Sequence, residues 1–218
     1  MTHRQLKQKH RALRKGFHLN LSLRTHRALS WLDRAEHSHD DADGQFIFLW
    51  ISFNAAYATD IEEQYRTTEK GMFEAFFKKL VDLDSDDRLY HSVWAEFSSS
   101  IRVLLNNPYI FQPFWDYQNG KIPETEWQTR FQTSKRKAST ALGRRDTVAV
   151  LSVVFRRIYT LRNQIIHGGA TWNSQANRAQ LNDCIALLSK VIPVVIDLMM
   201  DHPEQLWGDA FYPFLADD

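Results

Sequence analysis

Hydrophobic residues recur along most of this chain at the spacing of an α-helix. In the clearest stripe the steps are four, three, four, three and four residues, which puts every member on one face of a helix with 3.6 residues per turn. Its members are Leu181, Ile185, Leu188, Ile192, Val195 and Met199. No segment alternates apolar and polar residues as a half-buried strand does, so the pattern predicts an all-α protein.

Turn-forming residues divide the chain into seven long predicted helices and a loop at 106–121. Ser22 is expected to cap the first helix, Gly143 to end the fifth and Pro193 to kink the last. A short helix is expected in the tail. The long helices are predicted over residues 23–37, 45–60, 70–83, 87–105, 123–142, 146–167 and 175–201.

The helix predicted at 45–60 is apolar on nearly all sides, which is typical of a helix at the centre of a bundle. The simplest architecture is therefore one up-and-down helical bundle spanning residues 1–218. We expect its core to be formed by about 23–60 and 146–201. Residues 62–142 would then be a helical insertion packed beside the bundle, and 203–218 a C-terminal tail.

Composition narrows the class of protein. Of the 218 residues, 44% are hydrophobic and 24% charged, as in ordinary soluble globular proteins. The single cysteine, Cys184, excludes an intrachain disulfide, and its helical spacing from Leu181 predicts a core position. No apolar run reaches the roughly 20 residues of a membrane-spanning helix. We therefore expect a cytoplasmic protein that does not enter a membrane.

Candidate chemistry lies at the end of the helix predicted over 146–167. Arg162 falls midway between Ile158 and Ile166 of that helix's apolar stripe, so it is expected to point toward the core. A buried guanidinium is costly unless it meets an anion. His167 follows, and two glycines after it predict that the helix ends there. The pair indicates phosphodiester chemistry; alternatively, Arg162 pairs with an acid and His167 caps carbonyls.

The segment from Arg162-Asn163 to His167 resembles the Arg-x4-6-His motif of the HEPN superfamily, with four intervening residues. The predicted helix bearing Phe53-Asn54-Ala55-Ala56-Tyr57 resembles the second helix of HEPN-like proteins. Together the resemblance covers 23–60 and 146–201 and leaves out 62–142. HEPN toxins that are silenced by a nucleotidyltransferase antitoxin tend to carry a tyrosine, the modification site, two residues after the histidine. Gly169 stands at that position here, which argues against that form of regulation.

The resemblance implies a metal-independent endoribonuclease that uses no cofactor. Arg162 and His167 would be catalytic, with Asn163 supporting them, and two copies would join both motifs in one cleft of a homodimer. RNA would be the main partner, in a toxin or defence role that can include an antitoxin or another regulatory protein. The alternative is a non-catalytic HEPN module that binds RNA, a nucleotide or a protein.

Three further residues are candidates for binding the substrate. Tyr159 and Trp172 flank the motif and are suited either to stacking on a base or to packing. Asn54, inside an apolar helix, needs a buried partner and is either a core hydrogen-bonder or a contact of the Arg–His site. The histidines and aspartates at 37–43 resemble metal ligands, but we interpret them as a helix exit and a cap, and expect no metal.

Overall fold

The computed structural model describes residues 1–58, 69–96, 98–175 and 178–209. These residues form ten α-helices and no strand, which confirms the predicted all-α class. Short 3₁₀ turns occupy Arg14–Gly16 and Pro108–Ile110, and a π-helical turn occupies Ser92–Glu96. The α-helices are α1 His3–Leu13, α2 Leu19–Glu36, α3 Ala42–Tyr57, α4 Glu69–Leu83, α5 Arg88–His91, α6 Ser98–Asn106, α7 Gln112–Gln118, α8 Glu124–Arg144, α9 Thr147–Ile166 and α10 Arg178–Asp201.

The N-terminal region holds more helix than the apolar pattern predicts. Helix α1 is strongly basic, and its start is fixed by a reciprocal capping box between Thr2 and Gln5. Only two of its residues, Leu6 and His10, are buried, too few to form a visible stripe. Helix α2 begins at Leu19 with His18 as its N-cap. The prediction that Ser22 caps this helix was therefore wrong.

Three predictions for the middle of the chain also differ from the structure. The helix predicted over 87–105 is divided into α5, the π-helical turn and α6, and the loop predicted over 106–121 contains α7. Gly143 does not end α8. The helix passes through it and closes at Arg145, which takes a left-handed conformation with φ of 53° while the following amide donates to the Ala141 carbonyl.

An aromatic cluster joins helices from both halves of the chain. The rings of Phe53 in α3 and Phe155 in α9 lie 4.5 Å apart between centroids, and Phe77 in α4 lies 4.7 Å from Phe155. Helix α3 packs closely against α2 and α10, while the closest neighbour of α9 is α4. Part of the predicted insertion, α4, therefore contributes to the same core as the bundle helices. The division of the chain into bundle and insertion stays a prediction.

The last long helix fits its prediction well. Helix α10 buries nearly its whole predicted stripe, together with Cys184 and Pro193. Across the described ranges, none of the helices is both long and apolar enough to cross a lipid bilayer.

The C-terminal segment is held to the bundle by a buried arginine. Arg24 of α2 donates to the carbonyls of Ala56, Trp207 and Gly208, and so connects the end of α3 to this segment. Residues 203–209 form turns and irregular backbone, where the tail was predicted to be a short helix. The remainder of that prediction, at 210–218, lies outside the described residues.

Candidate functional site

Helix α9 ends as its two glycines predict. His167 is the C-cap, and Gly168 adopts the left-handed conformation with φ of 72°. The amides of Gly168 and Gly169 donate to the carbonyls of Ile165 and Gln164, at 3.2 and 2.7 Å. These are the two bonds of a Schellman motif, which satisfies carbonyls that a helix end otherwise leaves unpaired. The imidazole of His167 is thus presented to solvent from a defined backbone.

Arg162 is half-buried, one turn before that end. Its Nη1 donates to Oδ1 of Asn163 at 2.8 Å, and its guanidinium lies 5.8 Å from the centroid of the Tyr159 ring. Its Nε is buried and has no hydrogen-bond partner. No ion pair of Arg162 is found within the described part of the chain. The alternative in which an acid neutralises Arg162 therefore receives no support from these residues.

Arg162 is less deeply buried than the apolar stripe predicts. The expected stripe ends before Ile166, whose exposed fraction is 46%. On this face core packing stops at Ile158, while Leu161 and Ile165 on a neighbouring face of α9 still pack against the core. The guanidinium consequently lies at the edge of the core, where a ligand can reach it.

Arg162 and His167 do not share a face of α9. Residues five apart on a regular helix are separated by about 140° around the axis. In the described part of the structure no hydrogen bond joins the two side chains. One motif alone therefore does not bring the guanidinium and the imidazole onto a single phosphate by helix geometry.

The other predicted binding residues lie in three different settings. Tyr159 packs its ring 5.8 Å from that of Trp50, beside Arg162. Asn54 is on the exposed face of α3, so the expectation of a buried partner for its side chain was wrong. The apolar pattern of α3 misled here, because that helix is covered by α2 and α10 but leaves one edge open.

Trp172 is the most prominent apolar side chain near the motif. It is 75% exposed, and its Nε1 donates to Oδ1 of Asp41 at 3.2 Å. The next residue, Asn173, donates its amide to Asp43 at 2.9 Å, and Arg178 forms an ion pair with the same carboxylate at 3.0 Å. The loop after α9 is therefore tied to the start of α3 and presents Trp172 outward on the same end of the molecule as His167.

Two arginines that the sequence argument passed over lie deeper in α9. Arg157 is only 2% exposed, and Arg156 before it is half-buried. Burial lowers the pKa of both guanidinium groups, that of Arg157 to about 9. Together they line a cavity of about 190 Å³ between α7, α8 and α9, whose lining does not include Arg162 or His167.

The sequence did contain a signal for Arg157. Val150, Val154, Arg157 and Leu161 are separated by steps of four, three and four, and all four are buried. Arg157 interrupts an apolar stripe as Arg162 does, and it is the stronger sequence candidate for a buried cation because its stripe continues on both sides.

Side chains of the cluster at 37–43 form hydrogen bonds with backbone groups in this structure. Nδ1 of His37 lies 2.8 Å from the Asp33 carbonyl, and Asp41 caps α3 by accepting from the amide of Gly44. These contacts match the interpretation of the cluster as a helix exit followed by a cap.

We compared the chain with protein-family models, with curated proteins and with solved structures, and none of the three comparisons gives a match. Any functional conclusion therefore depends on the motif and on its geometry.

Proposed function

We propose that this protein is a metal-independent endoribonuclease of the HEPN type, with Arg162 and His167 as its catalytic pair. The observation that carries the proposal is the state of Arg162, a half-buried guanidinium with an unpartnered Nε and no ion pair within the described ranges. A cation held in this way is suited to an anionic ligand. The exposed His167 supplies a group for proton transfer near neutral pH.

The reaction follows from these two groups. The 2′-oxygen of a ribose attacks the adjacent phosphorus and loses its proton, the bond from phosphorus to the 5′-oxygen breaks, and that oxygen gains a proton. The products are a 2′,3′-cyclic phosphate and a 5′-hydroxyl. Arg162 would stabilise the negative charge that grows on the phosphorane. Asn163 would act as a positioning residue, because its Oδ1 holds Nη1 of Arg162 at 2.8 Å.

A homodimer completes the site in this proposal. With an angle of about 140° between the two side chains on one helix, a two-fold axis near the end of α9 would let Arg162 of each copy meet a histidine of the other. Two histidines also allow one to accept a proton while the other donates one. Ile166 and Trp172, both exposed beside His167, offer apolar surface for this contact or for a base.

The remaining assignments belong to the same proposal. Trp172 is accessible enough to stack on a base, Tyr159 lies against Arg162, and Asn54 is exposed on α3. A toxin or defence role, an antitoxin or other regulatory partner, and a cytoplasmic location are further expectations from the resemblance.

The second candidate is a non-catalytic module that binds RNA, a nucleotide or a protein. It is favoured by the fact that a cavity on α9 is lined by Arg156 and Arg157 and not by the motif residues. A module of this kind would retain RNA affinity when His167 is removed, whereas the nuclease would lose turnover.

A matched set of variants tests the proposal. Arg162→Ala and His167→Ala are each expected to lower the cleavage rate by roughly 10²-fold or more, the range for loss of a transition-state donor or a general acid–base group. Asn163→Ala is expected to have a smaller effect. Arg144→Ala and His37→Ala are the controls, because both residues lie exposed at the end of a helix and His37, like His167, is a C-cap.

The assay uses purified protein, a mixture of structured and single-stranded RNA, and excess EDTA. Circular dichroism and size-exclusion chromatography establish that each variant is folded and has the same oligomeric state. Cleavage that persists unchanged in a folded His167→Ala variant contradicts the proposal. Retained binding without cleavage by the wild type supports the second candidate.

A further inference from the structure

We propose that the cavity between α7, α8 and α9 is a binding pocket for a small organic oxyanion, a molecule with a phosphate or carboxylate group on an apolar or aromatic body. The cavity has a volume of about 190 Å³. Its walls are formed by Ile110, Phe111, Gln112, Pro113, Ser134, Val153, Arg156, Arg157, Tyr159 and Thr160.

Arg157 is the main evidence for this pocket. The side chain is 98% buried, yet only Nη2 has a hydrogen bond, a long one of 3.3 Å to Oγ of Ser134. Its Nε and Nη1 are buried without a partner. The guanidinium carbon lies 4.2 Å from the centroid of the Phe111 ring and 5.4 Å from that of Phe131. The aromatic rings orient the guanidinium but cannot satisfy its N–H groups.

Arg156 adds a second cation to the same cavity. Its Nη1 is buried and also lacks a partner. Desolvation lowers the pKa of both arginines, and the charge of Arg156 lowers that of Arg157 further. Among the residues that the structure describes, the carboxylate of Glu74 in α4 acts in the other direction, and it acts on Arg156. Arg157 has no ion pair within the ranges that the structure describes.

A buried and a half-buried cation, adjacent on α9 and both with buried N–H donors that lack a partner, are costly by themselves. A buried hydrogen-bonding group without a partner, and still more a buried charge without a counterion, lowers stability. Such a pair is therefore expected where a ligand supplies the missing charge. A phosphate or carboxylate group has several acceptor oxygens, enough to receive Nε and Nη1 of Arg157 together with Nη1 of Arg156.

The rest of the cavity indicates what the oxyanion is attached to. Ile110, Pro113, Val153 and the rings of Phe111 and Tyr159 provide an apolar wall. A free inorganic ion would leave this wall uncovered, whereas an aliphatic or aromatic body would pack against it. The small volume excludes a large ligand. This inference does not rest on the proposed nuclease activity, although Tyr159 contacts both regions.

The experiment compares three probes with the purified full chain: inorganic phosphate, phenyl phosphate and benzoate. Each is titrated at constant ionic strength against sodium chloride, with binding followed by calorimetry and by the shift in Tm. At least one probe with a ring is expected to bind more tightly than inorganic phosphate. Above Kd, each tenfold increase in its concentration should raise Tm by roughly 3–6 °C for a chain of this length. Comparing the affinities of phenyl phosphate and benzoate shows whether the pocket prefers a phosphate or a carboxylate group.

Variants locate the binding. Arg157→Met retains an unbranched side chain on the two rings but removes the charge, and is expected to weaken binding by roughly 10- to 100-fold. Arg156→Gln and Ser134→Ala should weaken it less. Arg144→Met on the exposed end of α8, and His167→Ala in the motif, should bind as the wild type does. Without ligand, Arg157→Met is expected to have an equal or higher Tm, because a buried unpaired charge is gone.

Three results would overturn the inference. The first is the absence of any oxyanion-specific binding by the folded wild type at millimolar concentrations. The second is binding that survives Arg157→Met or disappears with His167→Ala, since either result places the ligand elsewhere. The third is a large fall in the Tm of ligand-free Arg157→Met together with unchanged probe binding, which would make Arg157 a packing residue only.

Discussion

His10 of α1 is the most deeply buried histidine of this chain. It is 1% exposed, and neither ring nitrogen has a hydrogen bond of normal geometry, so the backbone of Ser22 only weakly opposes the effect of burial. Desolvation lowers its pKa from 6.5 to about 4, and the positive charges of Lys7, His26 and Arg14 act in the same direction. The folded protein therefore holds this imidazole in its neutral form near neutral pH.

This burial predicts a loss of stability in mild acid. Between pH 6.5 and about 4 the unfolded chain binds a proton at His10 that the folded chain does not, so the free energy of unfolding falls as the pH falls. The contribution of His10 to the free energy of unfolding is fully present above pH 6.5. His10→Leu should flatten this part of the profile, measured by urea unfolding between pH 7 and pH 5. The same change at the exposed His39 is the control, and an unchanged slope in His10→Leu would contradict the assignment.

The arginines of α9 show what a single residue position can and cannot reveal. Arg157 and Arg162 both interrupt an apolar stripe in the sequence, but only Arg157 is buried to the level of the core. The difference depends on what covers each turn of the helix. Phe111, the residue before α7, and Phe131 of α8 both lie against the guanidinium of Arg157. Both rings come from other segments, so the periodicity of α9 does not indicate them.

At the scale of elements, the last turn of α9 determines where His167, the proposed catalytic histidine, points. Its Schellman motif uses Gly168 in a left-handed conformation and Gly169 in close contact with the backbone. A Cβ added at Gly169 would lie 3.0 Å from the Gln164 carbonyl oxygen, whereas one at Gly168 would meet nothing within 4 Å. The two glycines are thus needed for different reasons.

Alanine substitutions separate these reasons. Gly168→Ala should cost about 1 kcal/mol from the left-handed backbone alone. Gly169→Ala should displace the Gln164 carbonyl and break the bond that orders the turn, and in the proposed nuclease it should lower cleavage as well. Gly143→Ala inside α8, where a Cβ meets nothing within 4 Å, should stabilise by about 1 kcal/mol. Chemical denaturation checks all three, and equal effects at Gly168 and Gly143 would contradict this account.

The helices that the sequence predicted correctly are those whose own residues form a long apolar stripe with clear end residues. Helices α9 and α10 have long stripes and clear end signals, and their predicted ends lie within three residues of the structure. Helix α1 was missed because it buries only Leu6 and His10. Helix α7 was missed because it has only seven residues, with Pro113 in its first turn and Asn119-Gly120 directly after it. The packing of α4 on α9 was not predictable, since it depends on contacts between distant segments.

At the scale of the whole molecule, Asp197 of α10 connects the two ends of the fold. It accepts from Nζ of Lys9 at 2.6 Å and from Nη1 of Arg88 at 2.5 Å, and so joins α1 and α5 to α10. Arg88 also pairs with Asp84 at 3.2 Å, and both cations reach Asp201. The carboxylate of Asp197 is buried. Among the described residues, its loss would leave Lys9 with Asp201 alone, and Arg88 with Asp84 and Asp201.

Asp197→Asn is therefore expected to lower the free energy of unfolding by about 3 kcal/mol, the cost of breaking a buried ion pair. Its control is Asp82→Asn, which removes an exposed pair with Lys78 at 2.7 Å and should cost about 0.3–0.5 kcal/mol. Urea denaturation measures both. Similar small values for the two variants would show that Asp197 does not hold α1 and α5 in place.

The central claim, that Arg162 and His167 cleave RNA without a metal, is tested most directly by the chemical ends of the products. The wild-type protein is incubated with RNA in excess EDTA, and the fragments are analysed by mass spectrometry beside a substrate with 2′-deoxyribose at the cleaved positions. Fragments with 2′,3′-cyclic phosphate and 5′-hydroxyl ends, and an intact 2′-deoxy substrate, are the predicted result. Fragments with 3′-hydroxyl and 5′-phosphate ends would contradict the account, as would cleavage of the 2′-deoxy positions.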